Sequence, residues 1–206
     1  MMRTRFNSDL EAIKEMSRGV GQLILISYDR IDLYLDNKNE ENLDQIMELY
    51  DDIRRQASGI ERFCFELLAL QQPVARDLRL LQMEIKLAST FKRIASHLNS
   101  VAEILKSYGL TDKEIFFLKK FIENEKSMLE DGIGAFVTNN KDLALATIEK
   151  DAINNKVFVD AITFAAEENK NDQIGPVELS NKILLFKYFE RLGDRLARVA
   201  DLATRL

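Results

Sequence analysis

Phe91-Lys92-Arg93-Ile94-Ala95-Ser96-His97-Leu98 and Phe189-Glu190-Arg191-Leu192-Gly193-Asp194-Arg195-Leu196 are two versions of one stretch. The match runs on as Val101-Ala102-Glu103 against Val199-Ala200-Asp201. Apolar residues step by four and three in both copies: Leu87, Phe91, Ile94, Leu98, Val101, Leu105, and Leu185, Phe189, Leu192, Leu196, Val199, Ala203. A mean spacing of about 3.5 residues is the seam of a helix packed lengthwise in a bundle. Weaker echoes at Leu43/Leu143, Asp51/Asp151 and Ile53/Ile153 extend the repeat upstream. The chain therefore reads as a tandem duplication of a three-helix unit.

Start and stop signals divide it into six long helices. Ser8 with Glu11 reads as a capping box opening the first, which runs to about Asp36 and the turn Asn37-Lys38-Asn39. The second runs from about Glu40 to Leu70, and Pro73 suits the first position of the third, where its missing N–H costs nothing. Tyr108-Gly109 ends that helix. Thr111 and Glu114 form a second capping box for helix four, which stops at Asn139-Asn140. Helix five starts near Asp142 and fades into Glu168–Gln173, and Gly175-Pro176 opens helix six. The expected architecture is all-α: two tandem three-helix bundles, residues 1–108 and 109–206. Helices of ~30 residues would be ~45 Å long, so the bundle should be elongated.

Composition agrees and excludes much else. In 206 residues there are only two prolines and eight glycines, too few for the frequent turns of a sheet protein. One cysteine and one histidine leave no disulfide, two-histidine metal site or CxxC pair within the chain. A net charge of −5 argues against nucleic acid as the main ligand. The longest apolar run, Gly19–Ile26, is far short of a membrane span and soon meets Asp29, Arg30 and Asp32. Met1–Arg5 has no hydrophobic segment after it, which points to a cytoplasmic protein with a reduced thiol. No Gly-rich phosphate loop is present, so no nucleotide site is expected. Cys64, among Phe63, Phe65 and Leu67, reads as a small buried hydrophobe, and His97 as packing or solvated. Helix one carries Val20, Leu23, Ile24, Ile26 and Tyr28, more apolar surface than one inward stripe needs. That surface is covered by another subunit or partner, or the helix is central and buried on most sides.

Leu68–Leu81, Leu-Ala-Leu-Gln-Gln-Pro-Val-Ala-Arg-Asp-Leu-Arg-Leu-Leu, resembles the hallmark of the PhoU family of phosphate-transport accessory proteins. Phe189–Asp194 resembles the family's second signature, and the opening Met2-Arg3-Thr4-Arg5-Phe6 also fits. The resemblance spans the whole chain, duplication included, and marks Gln72, Pro73, Asp77, Arg79, Arg191 and Gly193 as signature residues. Asp77 falls in the first helical turn, where the dipole favours a carboxylate, and Arg76 and Arg79 share a face. Capping plus surface ion pairs is one reading of this corner; a docking or folding corner is the other.

Glu190 and Asp194, four apart, form a like-charge pair that is mildly destabilising unless a cation or arginine neutralises it. In PhoU-like proteins such pairs sit on facing helices and hold multinuclear clusters of oxygen-loving metals. Arg191, Arg195 and Arg198 offer the alternative of salt bridges. This chain departs from the family pattern: Lys92 and Ser96 replace the acidic pair in the first repeat. Tyr50 and Ala57 stand where the family has carboxylates, and only Glu61 remains there. In the second repeat Asp151 persists, Ala152 and Asn155 replace acids, and Arg195 replaces the usual histidine. The expectation is no metal in the first repeat. In the second, a weak, substoichiometric divalent or iron-type cation is expected on Glu190, Asp194 and Asp151, with no cofactor required.

The resemblance implies a non-enzymatic, homodimeric regulator that restrains uptake by the phosphate-specific ABC transporter. Its implied partners are the transporter's ATPase subunit and a phosphate-sensing histidine kinase, with membrane contact only through them and no nucleic acid. The alternatives are a carboxylate-bridged metal protein and a divergent adaptor for another transporter.

Overall fold

Helix α1 spans Met2–Asn37, α2 Glu41–Leu70, α3 Ala75–Ser107 and α4 Asp112–Thr138 in the computed structural model. Then come α5, Lys141–Glu149, α6, Asp151–Lys170, and α7, Pro176–Ala203. The structure describes residues 2–71, 73–170 and 175–206, with side chains from Phe6 onward. Gln72 and the stretch 171–174 lie outside the described residues, as do the side chains of Met2–Arg5. No strand occurs among the described residues.

Helices α1, α2 and α3 pack on one another, and α7 packs on α4, α5 and α6. The halves meet along two pairs, α1 on α4 and α3 on α7. Every seam residue of the repeat is buried, and the buried side chains of both halves form one continuous core. α1 has 36 residues, so the bundle is ~54 Å long. Its crossing with α4 is close: a Cβ on Gly21 would lie 2.0 Å from Ile133 Cδ1. The apolar surplus of α1 is used inside the chain. Val20, Ile24 and Tyr28 are fully buried and Leu23 packs at the core's edge, while Ile26, and Leu33 two turns on, are exposed.

The turn before α2 uses asparagine chemistry. Asn39 N–H donates to Asn37 Oδ1 and Glu41 N–H to Asn39 Oδ1, while Lys38 adopts φ 56°. The matching turn in the second half places Asn139 at φ 54° after α4. Thr111 and Glu114 form the expected capping box, and Pro176 is the first residue of α7. Two helix starts differ from the sequence signals. α1 already begins at Met2, so Ser8 lies inside the helix and caps nothing. α3 begins at Ala75 with Val74 as its N-cap, so Pro73 precedes the helix rather than opening it.

The expected fifth helix is one rod in two segments that bend at Lys150. Asn124 of α4 causes the bend, its Nδ2 donating to the Lys150 carbonyl at 3.1 Å and to Asn154 Oδ1 at 2.9 Å. Lys150 Nζ is drawn outward to Ser127 Oγ and Asp131 Oδ2. The break makes Asp151 the first residue of α6, where the new helix dipole favours a carboxylate.

Candidate functional site

α7 lies against the bend because residue 193 is glycine. A Cβ there would sit 2.2 Å from Asn154 Nδ2 and 2.9 Å from Asp151 Oδ1. The signature Gly193 thus has a steric reason: it lets α7 close on the start of α6. That approach brings Asp151 into the field of Asp194 and Glu190. Burial first, then Asp194, push the Asp151 carboxyl above its usual range; Glu190 adds to this and the Asn155 amide opposes it. Asp151 Oδ2 accepts from Asn155 Nδ2 at 3.1 Å, and Oδ1 is buried without a hydrogen-bond partner.

The three acids do not form a ligand set. Among the described residues no group of three His, Cys, Asp or Glu side chains converges as a metal site. Glu190 is paired with Lys187 of the preceding turn at 2.7 Å, and Asp194 is exposed. The arginines do not neutralise the pair either. Arg198 holds Asp201, and none of Arg191, Arg195 and Arg198 forms an ion pair with Glu190 or Asp194 among the described residues. An orphan Asp151 oxygen beside Asp194 suits at most one hydrated cation, so these residues do not fit a multinuclear cluster. The first half fits still less. Lys92 Nζ donates to Glu61 at 2.6 Å, Ala57 is buried, and Tyr50 accepts from Arg54. An internal ammonium stands where an acid would.

The α2–α3 corner carries the other signature. Val74 makes no side-chain cap, and Asp77 stands in the first turn of α3. Among the described residues Arg76, Asp77 and Arg79 form no ion pair, so the capping-and-salt-bridge reading finds no contacts here. What the corner has instead is exposed apolar surface: Phe65, Leu70, Val74 and Leu78, with Leu70 at 73%.

Sequence reasoning missed the buried polar pairs. Glu84 is fully buried on α3, its Oε2 accepting from Ser17 Oγ at 2.6 Å while Oε1 has no partner. Burial pushes its carboxyl up to about 7, against the Ser17 bond and Lys14. Glu125 accepts from Tyr28 Oη at 2.8 Å across the two halves. Lys182, fully buried on α7, bridges Glu114 at 3.2 Å and Glu168 at 2.5 Å. A signal existed for two of these: Glu84 precedes Leu87, and Lys182 precedes Leu185, by one seam step. Cys64 is fully buried and its thiol is pushed up to about 12, so it is no nucleophile at neutral pH. His97 is half-buried beside Tyr188, ring centroids 5.6 Å apart.

No described helix is long and apolar enough to cross a membrane. Comparison with known proteins gives a consistent result. The model of the PhoU domain matches residues 13–105 and again 118–203. Phosphate-specific transport system accessory protein PhoU homolog 1 of Methanothermobacter thermautotrophicus is 27% identical over 97% of this chain and 92% of its own. The homolog of Clostridium acetobutylicum is 26% identical over 98% and 93%. Crystal structures of PhoU from Streptococcus pneumoniae and Pseudomonas aeruginosa share the fold, with TM-scores of 0.87 and 0.86 at 23% identity. They cover 96% of this chain and 94% and 96% of their own.

Proposed function

The chain belongs to the PhoU family, and on that footing we propose that it is an accessory regulator of phosphate transport, acting by docking rather than by catalysis. Its proposed partners are the ATPase subunit of a phosphate-specific ABC transporter and, where one is present, a phosphate-sensing histidine kinase. It restrains uptake and keeps the starvation response off. Its proposed site of action is the cytoplasm, with contact to the membrane only through its partners.

One observation carries the docking reading. Phe65, Leu70, Val74 and Leu78 are exposed around the signature corner, and Arg76 and Arg79 form no ion pair among the described residues. An apolar patch rimmed by charge is what a partner covers. Deleting the gene should derepress phosphate uptake in rich medium, and the wild-type gene should restore restraint. Leu70→Asp with Val74→Asp, both at exposed positions, should leave the fold intact and fail to restore it. Unchanged uptake and unchanged starvation-gene expression in the deletion strain would sink the proposal. A homodimer is also proposed, from family membership, with Ile26 and Leu33 as the apolar residues that α1 leaves exposed. Light scattering at high micromolar concentration reads it directly, and a monomer there removes it.

A further inference from the structure

The seam where α3 meets α7 is strongly basic in a chain whose net charge is −5. A cavity of about 250 Å³ opens there, lined by Lys86, Ser89, Thr90 and Arg93 of α3 and by Arg195 and Arg198 of α7. Positions 86, 89, 90 and 93 lie on one face of α3, and 195 and 198 on one face of α7. No carboxylate lines it. Arg198 is held by Asp201, whereas Lys86, Arg93 and Arg195 have no ion-pair partner among the described residues. Three unpaired cations thus face one another across the joint between the halves. Arg195 Nε is moreover buried with no hydrogen-bond partner, an unusual state for a guanidinium N–H. Thr90 Oγ1 is occupied, donating to the Lys86 carbonyl, while Ser89 makes no side-chain hydrogen bond among the described residues.

We propose that this cavity binds a small oxyanion of the phosphate class, which bridges the two repeats by accepting from Arg93 and Lys86 on one side and Arg195 on the other. Guanidinium forks match tetrahedral oxyanions two bonds at a time, and Lys86 adds a point charge. The volume favours the phosphoryl group alone: pockets that enclose drug-sized ligands run to roughly 300–1,000 Å³. The bound anion would neutralise like charges across the α3–α7 seam and tie the halves together. The site stands apart from the docking corner, and its test is independent of any transporter.

The chain's single histidine is a built-in reporter. His97, one turn beyond Arg93, is held below its usual value by burial first and then by Arg195, Arg191 and Arg93. An anion among those arginines should raise it. The experiment titrates the full chain with inorganic phosphate, and in a second arm with a nucleoside triphosphate, in chloride at about 0.15 M ionic strength. Calorimetry reads binding, and proton NMR follows the His97 ring. Saturable phosphate binding is expected, with an upward His97 shift. Arg93→Gln with Arg195→Gln should weaken it by about tenfold or more at unchanged helical content, and Lys86→Gln, at an exposed position, by less. Tighter binding of the triphosphate with the same dependence on the arginines would support the site and name a nucleotide as the phosphoryl source. If neither ligand binds, if His97 does not move at saturation, or if Arg93→Gln/Arg195→Gln and Lys86→Gln bind as wild type, the proposal is overturned.

Discussion

A single carboxyl in an apolar seam, Glu84, sets a pH dependence that can be signed in advance. Its folded value of about 7 stands above the ordinary 4.5, so the folded chain holds a proton that the unfolded chain has released between them. Stability from this group is complete below the lower value and is lost as pH rises through the upper one, by about 3 kcal/mol at most. Urea unfolding at pH 5 and pH 8 should show that loss in the wild type and a flatter profile in Glu84→Gln. Equal slopes would contradict it. Cys64 should resist alkylation in the native protein at neutral pH and react fully in denaturant. Metal belongs to this scale too. With Glu190 on Lys187 and Lys92 on Glu61, protein purified without chelator should carry substoichiometric metal by elemental analysis. Two or more tightly held ions per chain would revive a multinuclear site. Cys64 was legible in the sequence, because burial of a lone cysteine among phenylalanines needs no partner. Glu84's place on the seam can be read from its spacing to Leu87, but its partner cannot, because Ser17 lies 67 residues away on another helix.

Helix ends are legible in the sequence where local chemistry decides them and less so where packing does. Thr111–Glu114 and Gly175-Pro176 mark true helix starts because each satisfies or removes free amides on the spot. Ser8–Glu11 has the same pattern and starts nothing, because α1 is already helical before it and Glu11 turns to Lys14. The bend at Lys150 was invisible because its cause, Asn124, belongs to another helix. Gly193 lets α7 close on that bend, so Gly193→Ala should cost about 1–3 kcal/mol as Asn154 and Asp151 are displaced. Thermal unfolding checks this, and an unchanged midpoint would mean the bend is softer than its contacts suggest. Lys182 locks the far end of the second half. Lys182→Met leaves Glu114 buried, and Glu168 half-buried, without their cation and should destabilise by about 3–5 kcal/mol in urea unfolding.

The duplication in two stretches of sequence predicts an all-α molecule of two tandem three-helix units, each with its own seam. What the repeat could not give is the joint between them, where one continuous core forms and α1 and α3 meet α4 and α7. That joint absorbs the apolar surplus of α1, leaving the α2–α3 corner as the bare apolar surface at a family signature. On the proposed reading, this rod docks on a phosphate transporter. The direct measurement is binding of the purified chain to the ATPase subunit of the phosphate ABC transporter from the same cells, alongside ATP hydrolysis by the reconstituted transporter. Saturable binding that slows hydrolysis is expected, lost in Leu70→Asp/Val74→Asp while helical content is unchanged. A chain that neither binds the subunit nor alters hydrolysis at any concentration would contradict it.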